Sequence, residues 1–296
     1  MTQKVYQERS RIFTIATFFA YDILIMKRRG INAENLTKLD LLNRKFQSPF
    51  SVEEAGDALE MSPLPVRRLL ARFAARGWLT RLRRDAYRTV PMGATNPAEI
   101  REDPWLVADH AFAPCYFGGW TACEHWGLTE QLFRDVIVVT GRRVRYREVM
   151  IQDTKYLLHV RQEKAFFGLK KVWRSQSQVL VSDPSRTIVD LLDCPSMGGG
   201  IRAVGDCLVH YWNGSHRNDS QLLEYAMKLG NRTVLKRLGY LLETLKLDEG
   251  EMVAVCLGNL SKGISNLDPD GEDRGRIFKR WNLRLNANIT PMEEPS

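Results

Sequence analysis

The chain has 296 residues, 44% of them hydrophobic and 26% charged, and its 43 basic and 35 acidic side chains leave a formal charge of +8. That length is room for two domains with buried cores, and the composition excludes a disordered, collagen-like or low-complexity protein. Five scattered cysteines with no CxxC, and no histidine at zinc-ligand spacing, exclude a disulfide framework and fit reduced thiols.

Residues 4–29 predict one long helix that stops at Gly30, with Lys27, Arg28 and Arg29 favourable in its last turn. Its apolar part, Ile12 to Met26, is too short to span a bilayer, contains Asp22 and lacks a small-residue cleavage site. It reads as a helix packed on the body or on a second copy, in a cytoplasmic protein with no membrane partner. A short helix follows over 35–46. Ser51 then caps a helix over about 52–60, with Glu53 and Glu54 in its first turn. Ser62 as N-cap and Pro63 at the first helical position start another, which runs to Arg76 and stops at Gly77. After it, "WLTRL" and "AYRTV" predict two short strands around a turn at "RRDA".

The segment from Ser62 to Pro91 holds eight arginines against one acid, Asp85, and so supplies nearly all of the net charge. On its helix Val66, Leu69, Leu70 and Phe73 recur at i, i+3, i+4 and i+7 and mark the buried face. Arg68 and Arg72 lie opposite that face, Arg67 flanks it, and Arg76 sits at the exit. Two helices, then a β-hairpin, is the order of a winged helix-turn-helix, whose second helix enters the DNA major groove while the hairpin follows the flanking backbone. The use of arginine without lysine suits paired bonds to guanine edges and phosphates. The predicted DNA contacts are Ser62, near a phosphate at the helix N-terminus, with Arg67, Arg68, Arg72 and Arg76 on the helix and Arg81, Arg83, Arg84 and Arg88 on the wing.

Three prolines and a glycine in "PMGATNPAEIREDP" mark a linker at 92–104. An aromatic stretch, "CYFGGWTACEHWGL", predicts a helix around 120–126, and strand-like runs follow at 135–141, 142–152, 155–162 and 178–183. On the second of these, Arg143, Arg145 and Arg147 alternate and form a secondary phosphate track, or simply a solvated strand face. Asp183 and Pro184 open a helix that stops at Pro195, with a turn or hinge at glycines 198–200. The last third is helical: "SQLLEYAMKLG" ends on Gly230, and the next helix carries Val234, Leu235, Leu238, Leu241, Leu242 and Leu245 as one stripe. The tail "DPDGEDRGRIFKRWNLRLNAN" reads as a polar loop followed by a strand.

No P-loop, dinucleotide fingerprint, nucleophile elbow or HExxH is present, so no catalytic residue, metal ligand or cofactor is assigned and the chain is not read as an enzyme. Cys123 and His125 are the nearest thing to a metal pair and fall short of a ligand set. Ser185 and Asp190 are better explained by helix capping and a buried stripe than by catalysis. Asp135, Asp153 and Lys155 imitate the acid–acid–lysine pattern of restriction-type nucleases and supply the enzymatic alternative.

Four segments in order resemble the AbiEi family, antitoxins of the abortive-infection AbiE (type IV) toxin–antitoxin systems. They are the helix and hairpin ending "RLRRDAYRTVP", then "CYFGGWTACEHWGLT", then "VSDPSRTIVDLLDCPSMGGG", then "LGNRTVLKRLGYLLETL" with the late "LDPDG" and "KRWNLRLN". Together they cover most of the chain from residue 50 onward, and Ser185 stands where the family often has a glutamate. The resemblance implies a transcriptional autorepressor that binds double-stranded DNA at inverted repeats in its own promoter, arranged as a homodimer there. It also implies a second domain that counters a cognate nucleotidyltransferase-like toxin, by function and without requiring direct contact. The expected fold class is α+β: an N-terminal helical extension at 1–35, a winged helix-turn-helix at 36–91, the linker at 92–104 and a mixed α/β antitoxin domain at 105–296. A winged-helix repressor of some other operon, with no toxin partner, is the remaining alternative.

Overall fold

The computed structural model describes residues 31–90, 102–175, 177–248 and 250–289. Among them are ten α-helices and three sheets, a mixed α and β architecture. The chain divides into two compact units, Met1–Asp103 and Pro104–Ser296. The helix expected over 4–29 and the stretch 92–101 of the expected linker lie outside the described residues. No helix among the described residues is long and apolar enough to cross a membrane.

The first unit is built from locally encoded elements. Helix α1 (Ala33–Lys45) starts where the Asn32 side chain accepts from Asn35 N at 2.9 Å. Strand β1 (Phe50–Ser51) leads into α2 (Val52–Leu59) through a reciprocal capping box: Glu54 N donates to Ser51 Oγ at 3.1 Å and Ser51 N to Glu54 Oε2 at 2.6 Å. Helix α3 (Pro63–Ala75) ends two residues before Gly77, whose φ of 73° lets the chain reverse into the hairpin of β2 (Leu79–Arg83) and β3 (Ala86–Thr89). Strand β3 lies between β2 and β1, with Phe50 opposite Tyr87. The three helices and this sheet close on Leu42, Phe50, Ala55, Val66, Leu70 and Phe73, each with no exposed surface. Burial of each large apolar side chain stabilises by about 1.5–3 kcal/mol.

The second unit is organised by a six-stranded mixed sheet. Its strands are β4 (Cys115–Phe117), β5 (Val136–Thr140), β6 (Glu148–Ile151), β7 (Thr154–Val160), β8 (Leu169–Arg174) and β9 (Ser177–Ser182), in the order β6-β7-β5-β4-β9-β8. Alternation along a strand sends neighbours to opposite faces. Phe117 turns to one face and stacks at 4.5 Å on Trp105 of α4 (Pro104–Phe112). Tyr116 turns to the other, where its hydroxyl donates to Asp190 of α6 (Pro184–Asp193) at 2.9 Å. Helix α5 (Gly119–Trp126) follows β4 directly.

Around α6 pack α7 (Ile201–Asn213), α8 (Asp219–Leu229), α9 (Arg232–Thr244) and α10 (Glu251–Gly258), with a small sheet of β10 (Ser265–Asn266), β11 (Arg276–Phe278) and β12 (Leu283–Leu285). Every residue of α6 from Pro184 to Leu192 is buried. On α9 the expected stripe is buried from Val234 to Leu242, and so are Lys236 and Arg237. Arg237 donates to the carbonyls of Leu192, Leu267 and Asn266 at 2.7, 3.0 and 3.1 Å, while Lys236 donates to Gly263 O and to Ser265 Oγ. These two cations tie α9 to the end of α6 and to the small sheet, with backbone oxygens and the Ser265 hydroxyl as their partners.

Several expectations change. The strand expected over 142–152 begins only at Glu148, and residues 141–147 run irregularly. Arg142, Arg143, Arg145 and Arg147 are all exposed, and such a run of like charges has no apolar face to dock on the sheet. Pro104, expected in the linker, instead opens α4. Strands β4 and β8 and helices α4, α7 and α10 were not anticipated. Helix α4 is buried almost all round and so shows no stripe, while β8 carries Lys170 and Lys171 in place of an apolar run.

Candidate nucleic-acid interface

Helix α3 separates its two faces completely. Val66, Leu69, Leu70 and Phe73 are buried, whereas Arg67, Arg68, Arg72 and Arg76 are exposed. Ser62 takes the N-cap backbone conformation, but its side chain makes no capping hydrogen bond. That leaves the hydroxyl and the Leu64 N–H to an incoming anion, since Pro63 and Pro65 carry no N–H. Arg68 and Arg72 form no ion pair among the described residues. Arg76 lies beside the Trp78 ring at 5.3 Å.

The hairpin continues the charge. Arg81, Arg83 and Arg84 are exposed, and Arg81 Nε donates to the Arg83 carbonyl at 3.3 Å. Asp85, the sole acid of the segment, sits at the turn with φ 62° and holds Arg67 of α3 at 3.3 Å and Arg84 at 4.0 Å. Both partners are half-exposed, so this pair contributes only about 0–1 kcal/mol. Its effect is positional, since it links the hairpin tip to the arginine face of α3. A lone acid inside "RRDA" was the available signal for it.

Arg88 departs from expectation. Its Nε lies 2.5 Å from Glu102 Oε2, and both side chains are largely buried. Burial pushes the Glu102 carboxyl above its ordinary value, and the Arg88 charge pulls the other way. Strand alternation explains the difference: β3 is the central strand, and Arg88 pairs with Thr80 on a covered part of the sheet. The hairpin therefore presents Arg81, Arg83 and Arg84, with Arg88 held against Glu102.

In the second unit, Arg143, Arg145 and Arg147 lie on the irregular segment before β6 rather than on a strand face. Asp135 and Lys155 do come together, at 3.5 Å, but Lys155 also meets Glu148 at 3.2 Å. Asp153 occupies the β6–β7 turn, where its φ is 61°. No group of three or more His, Cys, Asp or Glu side chains that could hold a metal ion occurs among the described residues. Cys123 is a free thiol inside the core beside Cys207, while His125 is exposed on the same helix.

A buried polar network escaped the sequence reading. Asp190 accepts from Tyr116 at 2.9 Å and pairs with Arg186 at 3.0 Å and Arg161 at 3.6 Å, and Arg161 reaches Asp193 at 2.5 Å. Arg186 has no exposed surface and lies over the Phe167 ring at 4.0 Å. Burial, followed by the Asp190 charge, pushes the Tyr116 hydroxyl far above its ordinary range. Ser185 shares a 2.9 Å hydrogen bond with the Tyr211 hydroxyl in the same interior. Opposite charges at i and i+4 within an otherwise apolar helix, "SRTIVDLL", were the signal that could have found the pair.

No protein-family model and no curated protein matches this sequence. Among solved structures, the chain is similar to the crystal structure of the RV2827C protein from Mycobacterium tuberculosis, with a TM-score of 0.56 at 13% identity, covering 83% of this chain and 88% of that one. At that identity the likeness shows the fold.

Proposed function

We propose that the first unit is a winged helix-turn-helix that binds operator DNA, and that the chain is an autorepressor of AbiEi type whose second unit opposes a nucleotidyltransferase-like toxin. The observation that carries the DNA reading is the two-faced α3: four buried apolar side chains on one side, and on the other Arg68 and Arg72, exposed and with no ion pair among the described residues. Unpaired guanidinium groups on a helix whose next element is an arginine-bearing hairpin suit a groove lined by phosphates and guanine edges. The operator is double-stranded DNA with inverted repeats, bound by two copies of the chain. The antitoxin part is supported by the ordered resemblance of four segments to that family.

Footprinting on the promoter of the chain's own operon, followed by gel-shift titration, tests the DNA reading. Arg68→Ala with Arg72→Ala removes two contacts of about 1–3 kcal/mol each, so specific binding falls by about 5- to 150-fold for each while the melting temperature stays at the wild-type value. Unchanged operator affinity in the double variant would count against α3 as the reading helix. Co-expression with the neighbouring gene tests the second part: the chain restores growth if that gene encodes the toxin, and lack of rescue removes the antitoxin assignment. Incubation of plasmid with Mg²⁺ or Mn²⁺ separates the nuclease alternative, since cutting by wild type that is lost in Asp135→Ala would displace this reading.

A further inference from the structure

We infer that the irregular segment 142–147 of the second unit binds single-stranded nucleic acid. It carries Arg142, Arg143, Arg145 and Arg147, all exposed and in no ion pair among the described residues, and Tyr146 stands exposed between the last two. Every residue concerned belongs to the second unit, so the site is separate from operator binding by the first and does not depend on it.

Charge selects a polyanion. Acids beside the segment include Glu148, which pairs with Lys155 at 3.2 Å, and Glu163, whose side chain lies against Gly141. Lys155 is shared with Asp135 at 3.5 Å. With all three carboxylates set against them, the four arginines and Lys155 still leave a positive surplus, and it sits on the arginines. Arginine holds phosphate through paired N–H groups and also stacks on bases, where lysine is a point charge. The segment is pinned at both ends. Gly141 N donates to Pro114 O at 2.9 Å, Arg142 N to Thr140 Oγ1 at 3.1 Å, and Leu158 N to the Arg147 carbonyl at 2.7 Å. A backbone tied in this way loses little freedom when a strand arrives.

The exposed ring selects an unpaired strand. Tyr146 is 60% exposed, and the Arg145 guanidinium lies 5.2 Å from its ring centre. A base freed from pairing can stack on such a ring beside a guanidinium, whereas the bases of a duplex already stack on one another. Met150, 62% exposed on the edge strand β6, adds apolar surface four residues further on. An irregular segment is also neither the helix nor the two-stranded ribbon that fits a major groove. RNA and single-stranded DNA offer the same phosphates and base faces to these groups.

Fluorescence anisotropy on the full chain tests this with labelled oligouridylate and oligothymidylate of about 12 nucleotides, a length within the range of single-strand sites. At least one of the strands binds saturably. Tyr146→Ala weakens that binding by about tenfold, and Tyr146→Phe, which keeps the ring, stays near wild type. Arg143→Ala and Arg145→Ala each lower the slope of log affinity against log salt by about 0.7. These side chains are exposed, so every variant keeps the wild-type melting temperature. Tighter binding of the oligouridylate assigns the partner as RNA, and tighter binding of the oligothymidylate assigns it as single-stranded DNA. Arg68→Ala with Arg72→Ala leaves strand binding intact, and Tyr146→Ala leaves operator affinity intact, so failure of one site is read apart from failure of the other. The inference is overturned if neither strand binds saturably or if Tyr146→Ala binds them as wild type does. Loss of strand binding in Arg68→Ala with Arg72→Ala would overturn it too, by placing the strand on the first unit.

Discussion

Asp190 has no exposed surface, and three groups converge on its oxygens: Tyr116 at 2.9 Å, Arg186 at 3.0 Å and Arg161 at 3.6 Å. A carboxylate that answers two buried or half-buried guanidinium groups is costly to remove, because the cations stay behind without compensation. Asp190→Asn keeps the volume and deletes the charge, so it should destabilise the second unit by about 3–5 kcal/mol. Urea unfolding followed by tryptophan fluorescence measures this, and a loss below about 1 kcal/mol would show that the network is not a stabilising requirement. Pairing the change with Arg186→Met, an apolar side chain of similar length, should recover part of the loss. Arg88 makes the complementary point in the first unit. The same residue type that faces outward at 68, 72 and 84 is drawn against Glu102 once its strand becomes the centre of a sheet.

Helix α9 packs on both sides and shows how closely one element is fitted to its neighbours. A Cβ added at Gly239 would lie 2.1 Å from the Trp281 ring, and Trp281 is fully buried with its Nε1 donating to Glu243 Oε2 at 2.7 Å. Gly239→Ala should therefore cost about 1–3 kcal/mol through overpacking, despite the better helix propensity of alanine. Differential scanning calorimetry checks it, and a wild-type melting temperature would mean that Trp281 is not seated against α9. Helix α3 is the opposite case: on its outer face Arg67 pairs with Asp85, and Arg68 and Arg72 form no ion pair among the described residues. Its buried face and N-cap position were legible from spacing alone, as were the N-caps of α2 and α6 and the apolar stripe of α9, because these depend on residues one to four positions apart.

The whole molecule carries all five of its histidines in the second unit, and none lies between residues 1 and 103. Burial holds His125 and His159 below their ordinary value of 6.5, with Arg174 acting on the first and Arg147 and Arg161 on the second. A base whose folded value is depressed favours the neutral ring, so its contribution is present above about 6.5 and is lost as pH falls through the folded value. Glu102 in the first unit is raised instead, so its contribution is present at low pH and lost as pH rises. Asp109, Asp183 and Asp206 of the second unit are raised by burial as well and offset part of the histidine loss. Lowering the pH from about 7 to about 5.5 should thus loosen the second unit around His125 and His159 and spare the first. Amide hydrogen exchange read residue by residue measures the two units separately, and equal loss of protection in both would refute this distribution. His125→Gln with His159→Gln should flatten the response.

The amino-acid sequence alone determined that α1, α2, α3, α5, α6, α8 and α9 form, that Ser51, Ser62 and Asp183 stand at N-caps, and that arginine is segregated from the apolar stripe between Ser62 and Pro91. Each of these follows from interactions within a turn or two of the chain, or from charge that is present however the chain folds. Only the tertiary structure decided that Arg88 turns to Glu102, that Tyr116 finds Asp190 across 74 positions, that β4 and β8 complete the large sheet, and that Trp105, Arg134 and Arg174 surround one cavity. Those pairings join distant segments, and burial selects them from many partners that local spacing leaves equivalent.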